Sequence, residues 1–344
     1  MASVALRPKT LRETFSFYVS GRSADRILTC STQADAVVAL GLEGPATVKH
    51  LRTLGWPGTV IFDAGGYSNR TKDLNASKWF DEQRSAGADR ILTPGQWVGL
   101  DPEDPPFSIQ IESEVNLASS NGATCLLAID YRWLISSARQ DEMLTGLVAI
   151  NSPIALVLGD PRDPLGHPGA VEALAKLCSQ LKDLSILRSD QGGIGALAFG
   201  AAHAAIGLTS THRHMVPPGV KAFAIPNDRT ARVFVRDLMD WFTVSRIGSW
   251  STTNSILTCS DSCCEGQALE RFLDKRLNIE ADLHNRTVIT TLAEDVLSVP
   301  NEDGTRRREF GRMCQEAVLL YGTMGNWMTL IQPKSQLTQW ALYF

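Results

Sequence analysis

No stretch of this sequence is long and apolar enough to span a bilayer, which takes about 18 consecutive residues or more. The longest candidate, Ile194–Leu208, is broken up by glycines and carries His203, so it reads as a packed helix. Arg7 and Lys9 have no apolar stretch behind them, and no secretory leader is expected. An excess of positive charge is missing as well. The formal net charge of −4 argues against wrapping nucleic acid over the whole surface. Local basic stretches remain at Arg306, Arg307, Arg308 and Arg312, and at Arg229, Arg232 and Arg236; a solvated face is the plainer account of them. The even cysteine spacing of a disulfide framework is also absent. Seven cysteines are an odd number, and three of them crowd together as Cys259, Cys263 and Cys264. Reduced thiols and a metal suit that pattern better, with a cytoplasmic location as the expectation.

What is present is an alternation. Short apolar runs at Ile27–Cys30, Val60–Asp63, Arg90–Thr93, Cys125–Asp130, Ile154–Gly159, Ser185–Asp190 and Ile206–Thr211 are separated by amphipathic stretches such as Ser77–Ala86, Ala138–Ala149, Ala170–Leu181 and Ile194–Ala205. Short β-rich runs joined by helix-length segments predict parallel strands with crossover helices. Several runs are continuously apolar, as strands buried on both faces should be. An eighth strand is available at Ala222–Ile225 or Ser255–Thr258, and eight favour a closed (β/α)8 TIM-like barrel over an open sheet. The expected division is a barrel over 1–250, a zinc-binding segment packed on it over 251–297, and a C-terminal helix with an apolar tail over 298–344. Residues 99–122 read as an insertion or lid, and 298–312 as a linker ahead of a helix at Met313–Tyr321.

Polar or glycine-rich tips follow nearly every run, and in a barrel such tips converge at the C-terminal mouth where chemistry sits. They include Asp63-Ala64-Gly65-Gly66, Asp130-Tyr131-Arg132, Gly159-Asp160, Arg188-Ser189-Asp190-Gln191-Gly192-Gly193 and Thr209-Ser210-Thr211-His212-Arg213-His214. Arg213 suits a phosphate, and His212 or His214 a proton relay or a metal. Gly192 and Gly193 could cradle a phosphate at a helix start, although a strand-to-helix turn explains them equally well. Downstream, Cys259, Cys263 and Cys264 are followed by a helical stripe of Leu269, Phe272, Leu273 and Leu277, and then by His284-Asn285. Thiolates with an imidazole are the ligands of a four-coordinate structural zinc site.

These motifs resemble the tRNA-guanine transglycosylase superfamily. That family ends in Cys-x-Cys-x-x-Cys, a helix, and a His-Asn pair whose His completes a zinc site. Cys259, Asp261 and Cys264 fall at the three cysteine spacings, and His284-Asn285 at the pair. Asp261 replaces the middle cysteine while Cys263 is offered two residues later; either fits as fourth ligand, and Cys263 is favoured because zinc prefers sulfur. Upstream, Asp63-Ala64-Gly65-Gly66-Tyr67 is similar to the family's Asp-Ser-Gly-Gly-Phe strand end, which implies a proton-handling Asp63 beside glycines that let backbone approach the ligand. Ala128-Ile129-Asp130 is similar to the strand bearing the base-reading aspartate, with Tyr67 and Tyr131 as aromatic walls for a flat heterocycle. The sequence departs from the pattern at the nucleophile, where Gly207-Leu208-Thr209-Ser210-Thr211 offers no carboxylate. Base exchange needs one to hold the sugar carbon covalently, so Ser210 would be a poor substitute, and Asp190 or Asp160 would have to stand in. The resemblance implies an enzyme that exchanges or cleaves a purine or 7-deazapurine base in tRNA or DNA, with structural Zn2+. The alternative it implies is a non-catalytic subunit that binds nucleic acid or a catalytic partner, and in either case a homodimer or a heterodimer with a related chain. A third reading makes the zinc pattern accidental in an unrelated barrel enzyme built on Asp160, Asp163, His167, His212 and His214.

Overall fold

The computed structural model describes residues 14–20, 36–53, 58–68, 74–221, 230–251, 257–324 and 331–343. Eight parallel strands form one sheet: β1 (Thr14–Ser20), β2 (Ala36–Leu40), β3 (Thr59–Asp63), β4 (Gln96–Val98), β5 (Cys125–Asp130), β6 (Ile154–Gly159), β7 (Leu184–Ser189) and β8 (His203–Gly207). β1 pairs with both β2 and β8. The segment leading into β4 closes the ring, because Arg90 bridges to Ile61 of β3 and Leu92 to Thr124 ahead of β5. The architecture is a (β/α)8 barrel.

The strand sequences explain the closure. Alternate residues of a strand face opposite ways, and the buried side chains split into two separate clusters. Tyr18, Val38, Ile61, Leu126, Ala128, Ala155, Val157, Leu187 and Ala205 fill the interior. Phe17, Val37, Val60, Leu127, Leu156 and Ile186 face the helices. Both faces are dry, which is why these runs lack a polar alternation.

The crossover helices are α1 (Gly44–Thr53), α2 (Ala76–Ser85), α3 (Phe107–Asn121), α4 (Arg132–Ile135), α5 (Ser137–Val148), α6 (Ala170–Gln180) and α7 (Gly192–Ala198). Asn75 caps α2, its Oδ1 accepting from the Lys78 amide at 3.0 Å. Gly122 ends α3 in a left-handed conformation with φ 60°. After the barrel come a hairpin of β9 (Arg232–Val235) and β10 (Asp240–Thr243), then α8 (Val244–Ser251), α9 (Asn278–Ser298), α10 (Thr305–Met324) and α11 (Ser335–Trp340). α9 packs on β9, and both α9 and α10 pack on α7. None of the described helices is long and apolar enough to cross a membrane.

Several expectations change. The missing strands are β1 and β2, whereas Ile27–Cys30 and Ala222–Ile225 lie outside the described residues, as do the first two residues of Ser255–Thr258. Thr258 forms an antiparallel bridge to Ala268 and does not join the barrel. Residues 99–122 are no insertion: most of them form α3, which buries Phe107, Ile111 and Ala118 as an ordinary crossover. The apolar run from Ile194 is a helix only to Ala198 and becomes β8 at His203, while the run from Ile206 stops at Gly207 and turns into a single 3-10 turn at Ser210–His212. The stretch read as a linker largely belongs to α10, whose buried Arg306 donates from Nε to the Val299 carbonyl at 2.7 Å, just past the end of α9.

Candidate metal centre and the barrel mouth

Cys259, Cys263, Cys264 and His284 come together, their four ligand atoms all lying within 4.8 Å of one another. A tight turn makes this possible. Cys259 N–H donates to the Gln267 carbonyl, Gly266 N–H to the Cys259 carbonyl at 2.7 Å, and Cys264 N–H to the Asp261 carbonyl at 3.0 Å. Glu265 and Gly266 both take positive φ to complete it. The predicted helix after Cys264 is instead two 3-10 turns, Leu269–Leu273 and Lys275–Leu277; the α-helix starts at Asn278, so His284 sits within α9 rather than beyond a helix.

The spacings fit a tetrahedral ion. A metal–sulfur bond of about 2.3 Å places two thiolates about 3.8 Å apart. Here Cys259 Sγ and Cys263 Sγ are 3.9 Å apart, Cys263 and Cys264 3.6 Å. His284 Nδ1 lies 3.6 Å from Cys263 Sγ and 3.3 Å from Cys264 Sγ. Its other nitrogen, Nε2, is 2.9 Å from the Phe234 carbonyl, which fixes Nε2 as the protonated nitrogen and turns the Nδ1 lone pair to the sulfurs. Asn285 locks the same strand, accepting from Phe234 N–H at 2.7 Å and donating to the Arg232 carbonyl at 2.8 Å. The Cys264 thiol is held well below its ordinary range, first by hydrogen bonds from Cys259 and Cys263, then by His284 and Arg271. Asp261 stands outside this group of four. Its Oδ1 pairs with Arg236 Nη1 at 2.8 Å. The cluster can hold a metal ion.

At the barrel mouth the aspartates share one local geometry. In each, Oδ1 accepts the amide two residues on: Asp63 from Gly65 (2.7 Å), Asp130 from Arg132 (2.9 Å), Asp160 from Arg162 (2.6 Å) and Asp190 from Gly192 (3.0 Å). This is the Asx turn, a side-chain substitute for a backbone turn, and it starts the connection after β3, β5, β6 and β7. The second oxygen differs from site to site. Asp63 Oδ2 accepts from Tyr18 Oη at 2.5 Å and Tyr67 Oη at 2.8 Å, fully buried. Burial raises its pKa, against the hydrogen bonds from Tyr18, Tyr67 and Gly65. Asp130 is clamped by Arg132, with Nε on Oδ1 at 2.9 Å and Nη2 on Oδ2 at 2.8 Å. Asp160 Oδ2 meets His167 Nε2 at 3.0 Å, and Tyr131 stacks on that imidazole with centroids 3.9 Å apart.

Asp190 Oδ2 takes Gln336 Nε2 at 2.9 Å and Lys334 Nζ at 3.4 Å, from the segment leading into and opening α11. Lys334 also pairs with Asp240 at 2.8 Å, and Gln336 with Asp163 at 3.0 Å. Burial, then the neighbouring Asp190, pushes the Asp163 carboxyl up to about 6. No sequence pattern marks these partners, since Lys334 and Asp190 lie far apart in the chain.

The glycines prove to be packing positions. A Cβ on Gly66 would meet the Pro94 carbonyl at 2.6 Å, one on Gly192 would collide with the Leu165 side chain, and one on Gly193 would meet Ser189 Oγ at 2.5 Å. Gly65 takes φ +69°. Ser210 is exposed. His212 Nδ1 is 3.1 Å from Thr209 Oγ1, and burial, followed by Arg188 and Arg213, drops its pKa to about 4. Arg213 lies on the Trp241 ring at 3.3 Å, and burial lowers it to about 9. Sequence reasoning passed over Tyr18 and met Arg188 only as the first residue of a strand-end tip, without a role. Arg188 carries φ 53° at a break in register between β7 and β8, a conformation costing a non-glycine residue on the order of 1 kcal/mol or more.

No family model matches the sequence, and no curated protein matches it. Among solved structures, the chain is similar to tryptophan synthase from M. tuberculosis, at 10% identity over 58% of this chain and 84% of that one, with a TM-score of 0.37. A xylose isomerase-like TIM barrel/4-hydroxyphenylpyruvate dioxygenase fusion protein matches at 11% identity over 69% and 51%, TM-score 0.37. Fructose-bisphosphate aldolase from Campylobacter jejuni matches at 11% identity over 84% and 90%, TM-score 0.36.

Proposed function

We propose that the chain is a cytoplasmic, transglycosylase-like enzyme that exchanges or cleaves a purine or 7-deazapurine base in tRNA or DNA. The carrying observation is the end of β3: Asp63 is fully buried beneath Gly65-Gly66-Tyr67, and its carboxyl is biased by burial towards keeping a proton. A carboxyl of that kind can pass a proton to a leaving ring nitrogen. Asp130 would read the base edge once Arg132, whose side chain is 38% exposed, swings aside. Asp190, or in its place Ser210, would be the group that meets the sugar carbon.

The metal of the cysteine cluster is proposed to be zinc in a structural role. Three sulfurs and one imidazole match its preference, and the ion would fasten the turn at Cys259–Cys264 to α9. The assembly is proposed as a homodimer, or a heterodimer with a related chain.

One observation favours a second reading. Asp190 is already held by Gln336 and Lys334, and Ser210 makes no side-chain hydrogen bond among the described residues. A mouth whose carboxylate is already bound and whose hydroxyl has no base to activate it suits a non-catalytic subunit that binds nucleic acid or a catalytic partner. Incubation with labelled guanine or a 7-deazaguanine precursor, in the presence of tRNA and of DNA, separates the two. The enzyme reading expects incorporation by wild type, a loss on the order of 100-fold in Asp63→Asn, and a loss in Asp190→Asn. No incorporation into either polymer, alone or with a co-purified partner, sinks the enzyme reading in favour of the binding subunit.

A further inference from the structure

Among the described non-glycine residues with positive φ, Arg188 is the one that sits on a barrel strand. Leu187 faces the barrel interior, so regular alternation would send residue 188 outward into the helix layer. The left-handed backbone and the register shift reverse that, bringing the guanidinium against Tyr67 and Tyr18 at the mouth. No carboxylate among the described residues lies within ion-pair distance of it. Its Nε and Nη2 both donate to the Thr211 carbonyl, at 3.3 and 2.8 Å. A guanidinium has five N–H donors, so it has some to spare. Thr211 belongs to the turn after β8, where Thr209, Ser210 and Thr211 carry three exposed hydroxyls in a row. The Thr209 and Thr211 hydroxyls lie 3.0 Å apart.

We propose that Arg188, with the hydroxyls of Thr209–Thr211, forms an anion subsite that takes the phosphate of a phosphorylated substrate. The loops after the seventh and eighth strands are where barrels of this kind commonly hold phosphate, and a forked, always-charged donor set matches phosphate oxygens. Residual strain at position 188 is kept because only that backbone aims the side chain inward. The subsite does not depend on which reaction the mouth performs.

Calorimetric titration with inorganic phosphate, and with 2′-deoxyguanosine 5′-monophosphate beside unphosphorylated 2′-deoxyguanosine, tests it. Wild type is expected to bind inorganic phosphate saturably, in the millimolar range. Arg188→Gly suits the left-handed backbone, and it should keep the fold and the metal content while weakening phosphate at least tenfold. Arg188→Lys keeps the charge but not the fork, and it should weaken phosphate by a smaller factor. Unphosphorylated nucleoside should bind all three proteins alike. Wild type without saturable phosphate binding, or Arg188→Gly binding phosphate as wild type does, overturns the subsite. Phosphate binding that depends on Arg188 without any base incorporation would leave the subsite standing and count only against the transglycosylase reading.

Discussion

At the cysteine clasp, four donor atoms from two segments turn towards one point, and the supporting bonds to Phe234, Arg232 and Arg271 leave from the outside. At the barrel mouth the direction is opposite. Asp63, Asp130, Asp160 and Asp190 each have both oxygens engaged, one by the amide two residues on and the other by a neighbouring side chain. Polar groups that satisfy one another stabilise the fold as they stand. Three thiols and an imidazole crowded at 3.3–3.9 Å gain most from a cation between them. The difference teaches that a cluster whose donors converge is ready for a ligand as it stands, whereas one whose members are already answered by neighbours must exchange those partners before it can serve a substrate.

The sharpest way to break that contrast is to cut each cluster once. Cys264→Ala should abolish metal binding, taking the metal from one per chain to none, and should cost at least about 3 kcal/mol, because structural zinc sites contribute folding free energy on the order of 10 kcal/mol. Asp130→Asn keeps the shape of its turn and loses part of a charged clamp; it should cost about 1–2 kcal/mol and leave the metal in place. Elemental analysis and denaturant unfolding of the two variants decide it. A clasp variant no less stable than the mouth variant would make the ion incidental to the fold.

The clasp was legible in the sequence because its chemistry is local. Cys259, Cys263, Cys264 and His284 lie close in the chain, and reduced thiols spaced this tightly ahead of a histidine suit a metal better than they suit packing. The mouth was legible only as a set of strand ends. Whether an aspartate there closes its own turn or faces a substrate depends on distant partners: Lys334 on Asp190, and Tyr18 on Asp63. Two strands escaped for a related reason. β1 carries Ser16 on its inner face, hydrogen-bonded at 2.7 Å to the buried His203 of β8, so it does not read as a continuous apolar run. β2 is a five-residue Ala-Val-Val-Ala-Leu run that a helix would accept as readily. Repetition of the strand–helix unit was enough for the barrel, whereas the closing pair needed the ring itself.

A smaller effect sharpens the mouth side through pH. Burial and Asp190 raise the Asp163 carboxyl to about 6 in the folded chain, against about 3.9 when unfolded. Between those values the native state binds the extra proton, so stability is greatest below about pH 4 for this group and falls as pH rises through 6. That separation corresponds to at most about 3 kcal/mol, and the loss should be about 1–2 kcal/mol, because Asp190 beside it takes up part of the same proton. Asp163→Asn should flatten the stability profile between pH 4 and 6 with metal content unchanged. An unaltered slope in the variant would place the titration elsewhere.

The smallest expected effect lies within the clasp, at the residue standing where a cysteine is expected. Asp261 Oδ2 is 3.6 Å from Cys259 Sγ, near enough to compete for a metal, yet its Oδ1 holds Arg236. Arg236 also pairs with Asp295 on α9, so removing the charge at 261 leaves the guanidinium with a partner. Because Arg236 keeps Asp295 and an asparagine still offers it an oxygen, Asp261→Asn should cost about 1 kcal/mol. Metal stoichiometry should stay at one in Asp261→Asn and fall sharply in Cys263→Ala. The reverse pattern would put the carboxylate in the coordination sphere and leave Cys263 as a bystander. Sulfur has the stronger case on geometry, because Cys263 Sγ faces Cys259, Cys264 and His284 together, whereas Asp261 is turned outward to an arginine that tethers the turn to α9.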